Sequence, residues 1–135
     1  MTDYTIVFDG GSLGNGTANS HGYGSYQISN RKREEIVRLE FSAGTTSNVA
    51  EWQSLIAALK DLVARIEKAG KSPSAYTVEI KGDSQLVINQ AAGNWKVKQP
   101  HLRPLKGEAV GLLNRFKGFQ LTWQAREHSV AVLGH

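Results

Sequence analysis

Residues 4–14, YTIVFDGGSLG, limit what this chain can become more than any other stretch. An almost unbroken apolar run reaches Phe8, the pattern of a strand buried on both faces in the middle of a sheet. It stops at Asp9 and a glycine turn. A carboxylate at the end of a central strand sits at the rim of the core, where charge can do chemistry. Asp9 can equally be no more than the opening residue of the turn that Asp-Gly-Gly-Ser favours on its own, so its meaning depends on what the rest of the chain brings beside it.

Residues 13–21 are rich in Gly, Asn and Ser, a loop composition that lets backbone N–H groups approach a ligand or simply joins two strands. A second strand over 22–28 and a third over 36–41 follow; the third alternates Val37, Leu39 and Phe41 against Arg38 and Glu40. Joined by short turns, the three strands make an antiparallel meander. From Val49 the spacing changes to a helical stripe of Trp52, Leu55, Ile56, Leu59, Leu62, Val63 and Ile66. Glu51 leaves the first turn of that helix on the border between core and solvent, where the helix dipole alone would favour an acid. Tyr76, Val78 and Ile80 alternate as a fourth strand that runs into Gly82-Asp83-Ser84, so Asp83 repeats the arrangement at Asp9, or merely caps the helix after it.

Residues 93–104, GNWKVKQPHLRP, set Trp95 among Lys96, Lys98, His101 and Arg103. Rings interleaved with cations suit a nucleic-acid strand, and a solvated linker with one anchoring tryptophan has the same composition. A second amphipathic stripe runs from Leu102 to Phe116, and Phe119, Leu121 and Trp123 alternate as a fifth strand. At 135 residues one domain, 1–135, is expected. A net charge of +4 permits a polyanionic partner without requiring one. The absence of cysteine excludes disulfides and thiolate metal sites and suits the cytoplasm. With no charged leader and no run near ~18 apolar residues, a soluble protein without membrane contact is expected. Nothing points to a protein partner, so a monomer is expected.

If the crossover helix brings strand four parallel to strand one, Asp9, Glu51 and Asp83 meet. Clustered carboxylates are costly unless protonated or bound to cations, and an oxygen-only donor set favours Mg²⁺ or Mn²⁺. Two such ions a few ångströms apart are the usual apparatus for phosphodiester hydrolysis.

FDGGSLGN (residues 8–15), TTSNVAEWQSLIAAL (45–59), IKGDSQLVINQ (80–90) and NWKVKQPHLRPL (94–105) resemble, in order, the successive motifs of the type 1 ribonucleases H. The likeness covers about residues 4–126 and is nearest to the compact bacterial and archaeal forms without the basic helix. It implies an α/β ribonuclease H-like fold, a five-stranded mixed sheet in the order 3-2-1-4-5 flanked by helices. It also implies cleavage of the RNA strand of RNA–DNA hybrid with two divalent metals. Asp9 would bridge both ions and Glu51 and Asp83 would hold the one on the leaving-group side. Gly10, Gly11, Ser12, Asn15, Ser47, Asn48 and Gln85 match positions that meet the hybrid, whose minor groove displays the RNA's 2′-hydroxyls. Trp95, Lys96 and Lys98 would grip the DNA strand.

The family's end departs from this pattern. Arg126-Glu127-His128-Ser129 matches its arginine-acid-x-asparagine stretch loosely, and counting on, Leu133 stands where the fourth catalytic aspartate belongs. In the family that aspartate begins the last helix, and the sequence stops two residues after Leu133, so the last helix is expected to be missing, with Glu127, His128 and His135 as the nearest substitutes for a metal ligand. The expectation is a hybrid ribonuclease of reduced activity; the alternative is a hybrid-binding module of the same architecture with little or no catalysis.

Overall fold

The computed structural model describes residues 2–13 and 21–134. Asn15 and His135 lie outside the described residues. Five strands form one sheet in the order β3-β2-β1-β4-β5, as expected: β1 (Tyr4–Leu13), β2 (His21–Ser29), β3 (Glu34–Ala43), β4 (Thr77–Gly82) and β5 (Gly118–Trp123). The first three pair antiparallel, while β1–β4 and β4–β5 are parallel. The helices are α1 (Ser47–Lys68), α2 (Gln85–Ala91), α3 (Arg103–Leu113) and α4 (Arg126–Leu133).

Side chains alternate across a strand, so Ile6 and Phe8 face one side of β1 while Val7 and Asp9 face the other. Ile6, Phe8, Val78 and Ile80 meet the apolar stripe of α1 in the core, and Leu102, Ala109 and Leu113 close it from the side of α3. Trp52, Leu55, Leu59 and Leu62 are fully buried there, and each such side chain contributes about 1.5–3 kcal/mol by leaving water. Toward the C-terminal end of α1, Asp61 accepts from the Tyr26 hydroxyl (2.7 Å) and from Arg65 Nε (2.8 Å), tying α1 to β2.

Two expectations are corrected here. β1 does not end at Asp9: it continues through Gly10 and Gly11 to Leu13, because β2 pairs with it along its whole length, down to Leu13↔His21. Glycine's local preference for turns yields to the ladder. The last helix is not missing either. Eight residues, Arg126–Leu133, form α4, which ends on Gly134 in the left-handed conformation (φ 78°), the usual helix terminator. Arg38 Nη2 donates to the Leu133 carbonyl at 2.7 Å and satisfies one of the helix's last acceptors. α4 lies against β1 and β2, and Leu133 is fully buried outside the main core cluster.

Candidate functional site

The last parallel pair between β1 and β4 is Phe8↔Gly82. Asp9 on β1 and Asp83, the first residue after β4, come next in the chain, so the register alone sets them side by side. Asp9 is buried (1% exposed) and its Oδ1 accepts from the Gly10 N–H at 2.9 Å. Glu51 comes from α1. The helix begins at Ser47, two residues before the apolar stripe, which moves Glu51 into the second turn, beyond the reach of the dipole argument. Thr46 caps it, accepting from Val49 N at 3.4 Å.

Gly10 makes the meeting possible. A Cβ there would stand 2.6 Å from Ala50 C, Ala50 O and Glu51 N, so only glycine lets the start of α1 come this close to β1. Ligand oxygens of Asp9, Glu51 and Asp83 all lie within 4.8 Å of one another, and no other such carboxylate or histidine cluster occurs among the described residues. Asp83 is not a cap: Ser84 caps α2, accepting from Val87 N at 3.2 Å. The end of β5 and the chain just beyond it hold the Asp83 turn from three sides. Gln124 N donates to the Gly82 carbonyl (2.9 Å), Trp123 Nε1 donates to the Asp83 carbonyl (3.0 Å), and Arg126 Nη1 lies 3.7 Å from Asp83 Oδ2.

Burial, then the Asp9 and Asp83 charges, push the Glu51 carboxyl up to about 9. Asp83 is also raised, by burial and then by Asp9, against the pull of Arg126. Glu51 Oε2 is buried with no hydrogen-bond partner among the described residues. Three crowded oxygen donors, one of them unpartnered, fit a hard divalent cation, which would replace the protons that otherwise neutralise the cluster.

The folded chain holds a proton on Glu51 between its ordinary 4.5 and about 9, where the unfolded chain has released it. Stability in chelator is therefore expected to fall as pH rises through that window, because the folded state binds more protons there. Thermal melts across the window check this; Glu51→Gln should flatten the profile.

The remaining expected residues fall in four groups. Gly11 lies under the Tyr23 hydroxyl, where an added Cβ would come within 2.5 Å, and Ser12 Oγ is buried without a partner among the described residues. Ser47 and Asn48 form the first turn of α1 and Gln85 opens α2, so all three flank the carboxylates. Trp95, Lys96 and Lys98 are exposed on the loop after α2, with Val97 buried between the lysines and its carbonyl held by Arg103 Nε at 3.2 Å. Glu127 and His128 are exposed on α4 and contribute no atom to the cluster. Sequence reasoning missed Trp123 as part of this rim. It alternates like a core residue but is 46% exposed, and only the β4–β5 register, Gly82↔Trp123, shows why it stands beside Asp83.

Among the described residues no helix is long and apolar enough to cross a membrane. The sequence matches the reverse transcriptase-like family over residues 28–132, a span that contains Glu51 and Asp83 and begins after Asp9. It is 37% identical over 123 residues to the bifunctional protein Rv2228c of Mycobacterium tuberculosis, covering 90% of this chain and 31% of that one. The chain thus spans about a third of the length of this curated relative. The solved N-terminal ribonuclease H domain of Rv2228c superposes with a TM-score of 0.74 and 28% identity, covering 97% of this chain and 88% of that one. LC11-RNase H1, isolated from compost by a metagenomic approach and solved in complex with RNA/DNA hybrid, superposes with a TM-score of 0.81 and 26% identity over 96% and 90% of the two chains. The chain belongs to the reverse transcriptase-like family, and the relatives and solved structures it resembles include type 1 ribonucleases H.

Proposed function

We propose that this chain hydrolyses the RNA strand of RNA–DNA hybrids, with Asp9, Glu51 and Asp83 holding two divalent cations. The observation that carries the reading is the three-carboxylate cluster at the C-terminal rim of the two central parallel strands, with Glu51 Oε2 unpartnered among the described residues. When bound, divalent cations supply Lewis-acid stabilisation of an attacking water and of a departing oxygen. The chain's own part is to hold the carboxylates, to bind the hybrid beside them, and to tell RNA from DNA.

For the last task Gly10, Gly11, Ser12, Ser47, Asn48 and Gln85 border the cluster and offer backbone and side-chain partners to 2′-hydroxyls in a wide minor groove. Trp95, Lys96 and Lys98 stand along the same edge to take the DNA strand's phosphates and sugars. The presence of buried, apolar Leu133 at the position of the fourth carboxylate supports reduced activity, with the nucleophile-side cation held less firmly than its neighbour. Mn²⁺, which binds nitrogen and oxygen donors more tightly than Mg²⁺, should then be the better cofactor. The same observation favours the second reading, a hybrid-binding module with little catalysis.

Both readings require hybrid to be bound, and binding in chelator tests that step. Lys96→Ala/Lys98→Ala is expected to weaken hybrid affinity and to flatten its dependence on salt by about 0.9 units of log–log slope for each phosphate that is no longer neutralised. A slope equal to the wild type's would return this loop to the role of a solvated linker.

A further inference from the structure

Beside the carboxylates, under the loop that carries Trp95, lies a half-open cavity of about 510 Å³. Leu86, Leu102 and the Trp95 ring give it apolar walls, and Lys96 and Lys98 stand at its edge. Gln90 also lines it and is only 3% exposed. Its Nε2 is engaged, donating to the Lys96 carbonyl at 3.3 Å, and its Oε1 has no donor among the described residues. A buried amide oxygen without a partner costs free energy that a suitable ligand would recover.

The occupant must bring three things together: a hydrogen-bond donor for Gln90 Oε1, a flat apolar body for the walls, and a negative charge for the two lysines. The DNA strand of a duplex fails the first requirement, because its phosphates and deoxyriboses offer acceptors and the Watson–Crick donors of its bases are spent in pairing. An RNA 2′-hydroxyl supplies a donor but no ring. An unpaired nucleobase supplies all three, since every base carries an N–H on its Watson–Crick edge and a phosphate one sugar away, and its face can stack on an indole.

We propose that this cavity holds one unpaired nucleobase of a strand whose phosphate lies between Lys96 and Lys98, with a base N–H donated to Gln90 Oε1. The inference rests on the nucleic-acid reading of this face and adds a preference to it. A hybrid with a frayed or single-stranded end beside the cleavage site is held better than a fully paired one.

Equilibrium binding in chelator separates the two readings. The probes are a blunt hybrid, the same hybrid with a two-nucleotide DNA overhang at either end, and that overhang made abasic. The intact overhang is expected to bind about tenfold more tightly than the abasic one, the scale of one base stacked on an aromatic ring. Gln90→Leu should reduce that preference to less than about twofold; loss of its contact with the Lys96 carbonyl weakens intact and abasic probes alike, so the ratio of the two is what is read. Gln90→Met is the second variant should the first fold poorly. Equal affinities for intact and abasic overhangs in the wild type would overturn the proposal, as would a preference that survives both Gln90 variants. Failure to bind blunt hybrid would count against the function proposed above. The base site would then be judged on intact and abasic single-stranded oligonucleotides, with the same tenfold difference expected and equality overturning it.

Discussion

Asp9→Asn should lower the rate of hybrid cleavage by at least on the order of 10²–10³, the usual consequence of removing one preorganised charge-stabilising group from an active site. Asparagine keeps the shape, and its Oδ1 can still accept from the Gly10 N–H that Asp9 now holds at 2.9 Å. What it loses is the negative charge closest to both other carboxylates. Burial dominates the upward push on Glu51, and the Asp9 charge is the next cause. The variant should therefore relax the Glu51 carboxyl toward its ordinary range and melt at a higher temperature in chelator. Hybrid affinity in chelator should stay the same or rise slightly, since one fewer negative charge faces the phosphates. A stabilised, binding-competent and inactive protein is a combination that general damage to the fold does not produce. Cleavage near the wild-type rate would remove Asp9 from the centre of the site.

The second large effect is expected at Gly10. An added methyl group would stand 2.6 Å from three backbone atoms of Ala50 and Glu51, and backbone cannot swing aside as a side-chain tip can. Gly10→Ala must push α1 away from β1 at the helix's first two turns. Overpacking of this kind costs roughly 1–3 kcal/mol, which lowers Tm by several degrees in a domain of this size. It also carries Glu51 away from Asp9 and Asp83. Since a displacement near 1 Å can cost on the order of 10² in rate, cleavage should fall well beyond the loss of folded protein, even where the variant is still folded. Gly107→Ala and Gly111→Ala are the controls. Both glycines lie in α3, where an added Cβ meets nothing within 4 Å, and alanine in a helix interior should stabilise by about 0.5–1 kcal/mol. If Gly10→Ala melts and cleaves like these controls, the close approach of β1 and α1 is not what builds the site.

The individual strands, the long helix and the three carboxylates at their ends were legible in the sequence from periodicity, whereas the strand order 3-2-1-4-5 came with the resemblance to the type 1 ribonucleases H. The apolar run to Phe8, the alternation from Tyr76 to Ile80 and the stripe of α1 specify which faces are buried, and parallel pairing then sets Asp9 beside Asp83. Where reading failed, a tertiary partner decided the outcome. Gly10 and Gly11 favour a turn locally, yet β2 supplies a ladder that keeps them extended. The last helix was expected to begin only at position 133, yet residues 126–133 already form two turns, with Arg38 satisfying the Leu133 carbonyl and Gly134 ending them. Trp123 and Gln90 carry no local signal of their places, because what marks them is the Asp83 carbonyl in one case and the lack of a donor among the described residues in the other.

Asp9, Glu51 and Asp83 are proposed to hold the divalent cations with which this chain cuts RNA paired with DNA. End-labelled RNA–DNA hybrid, RNA duplex and DNA duplex, each incubated with Mg²⁺, with Mn²⁺ and with chelator, test this directly. The expected result is internal cleavage of the RNA strand of the hybrid, faster in Mn²⁺ than in Mg²⁺, absent in chelator and in Asp9→Asn, with the DNA duplex left intact. Hybrid that is bound yet uncut in either metal, or DNA duplex cut as readily as hybrid, would contradict it.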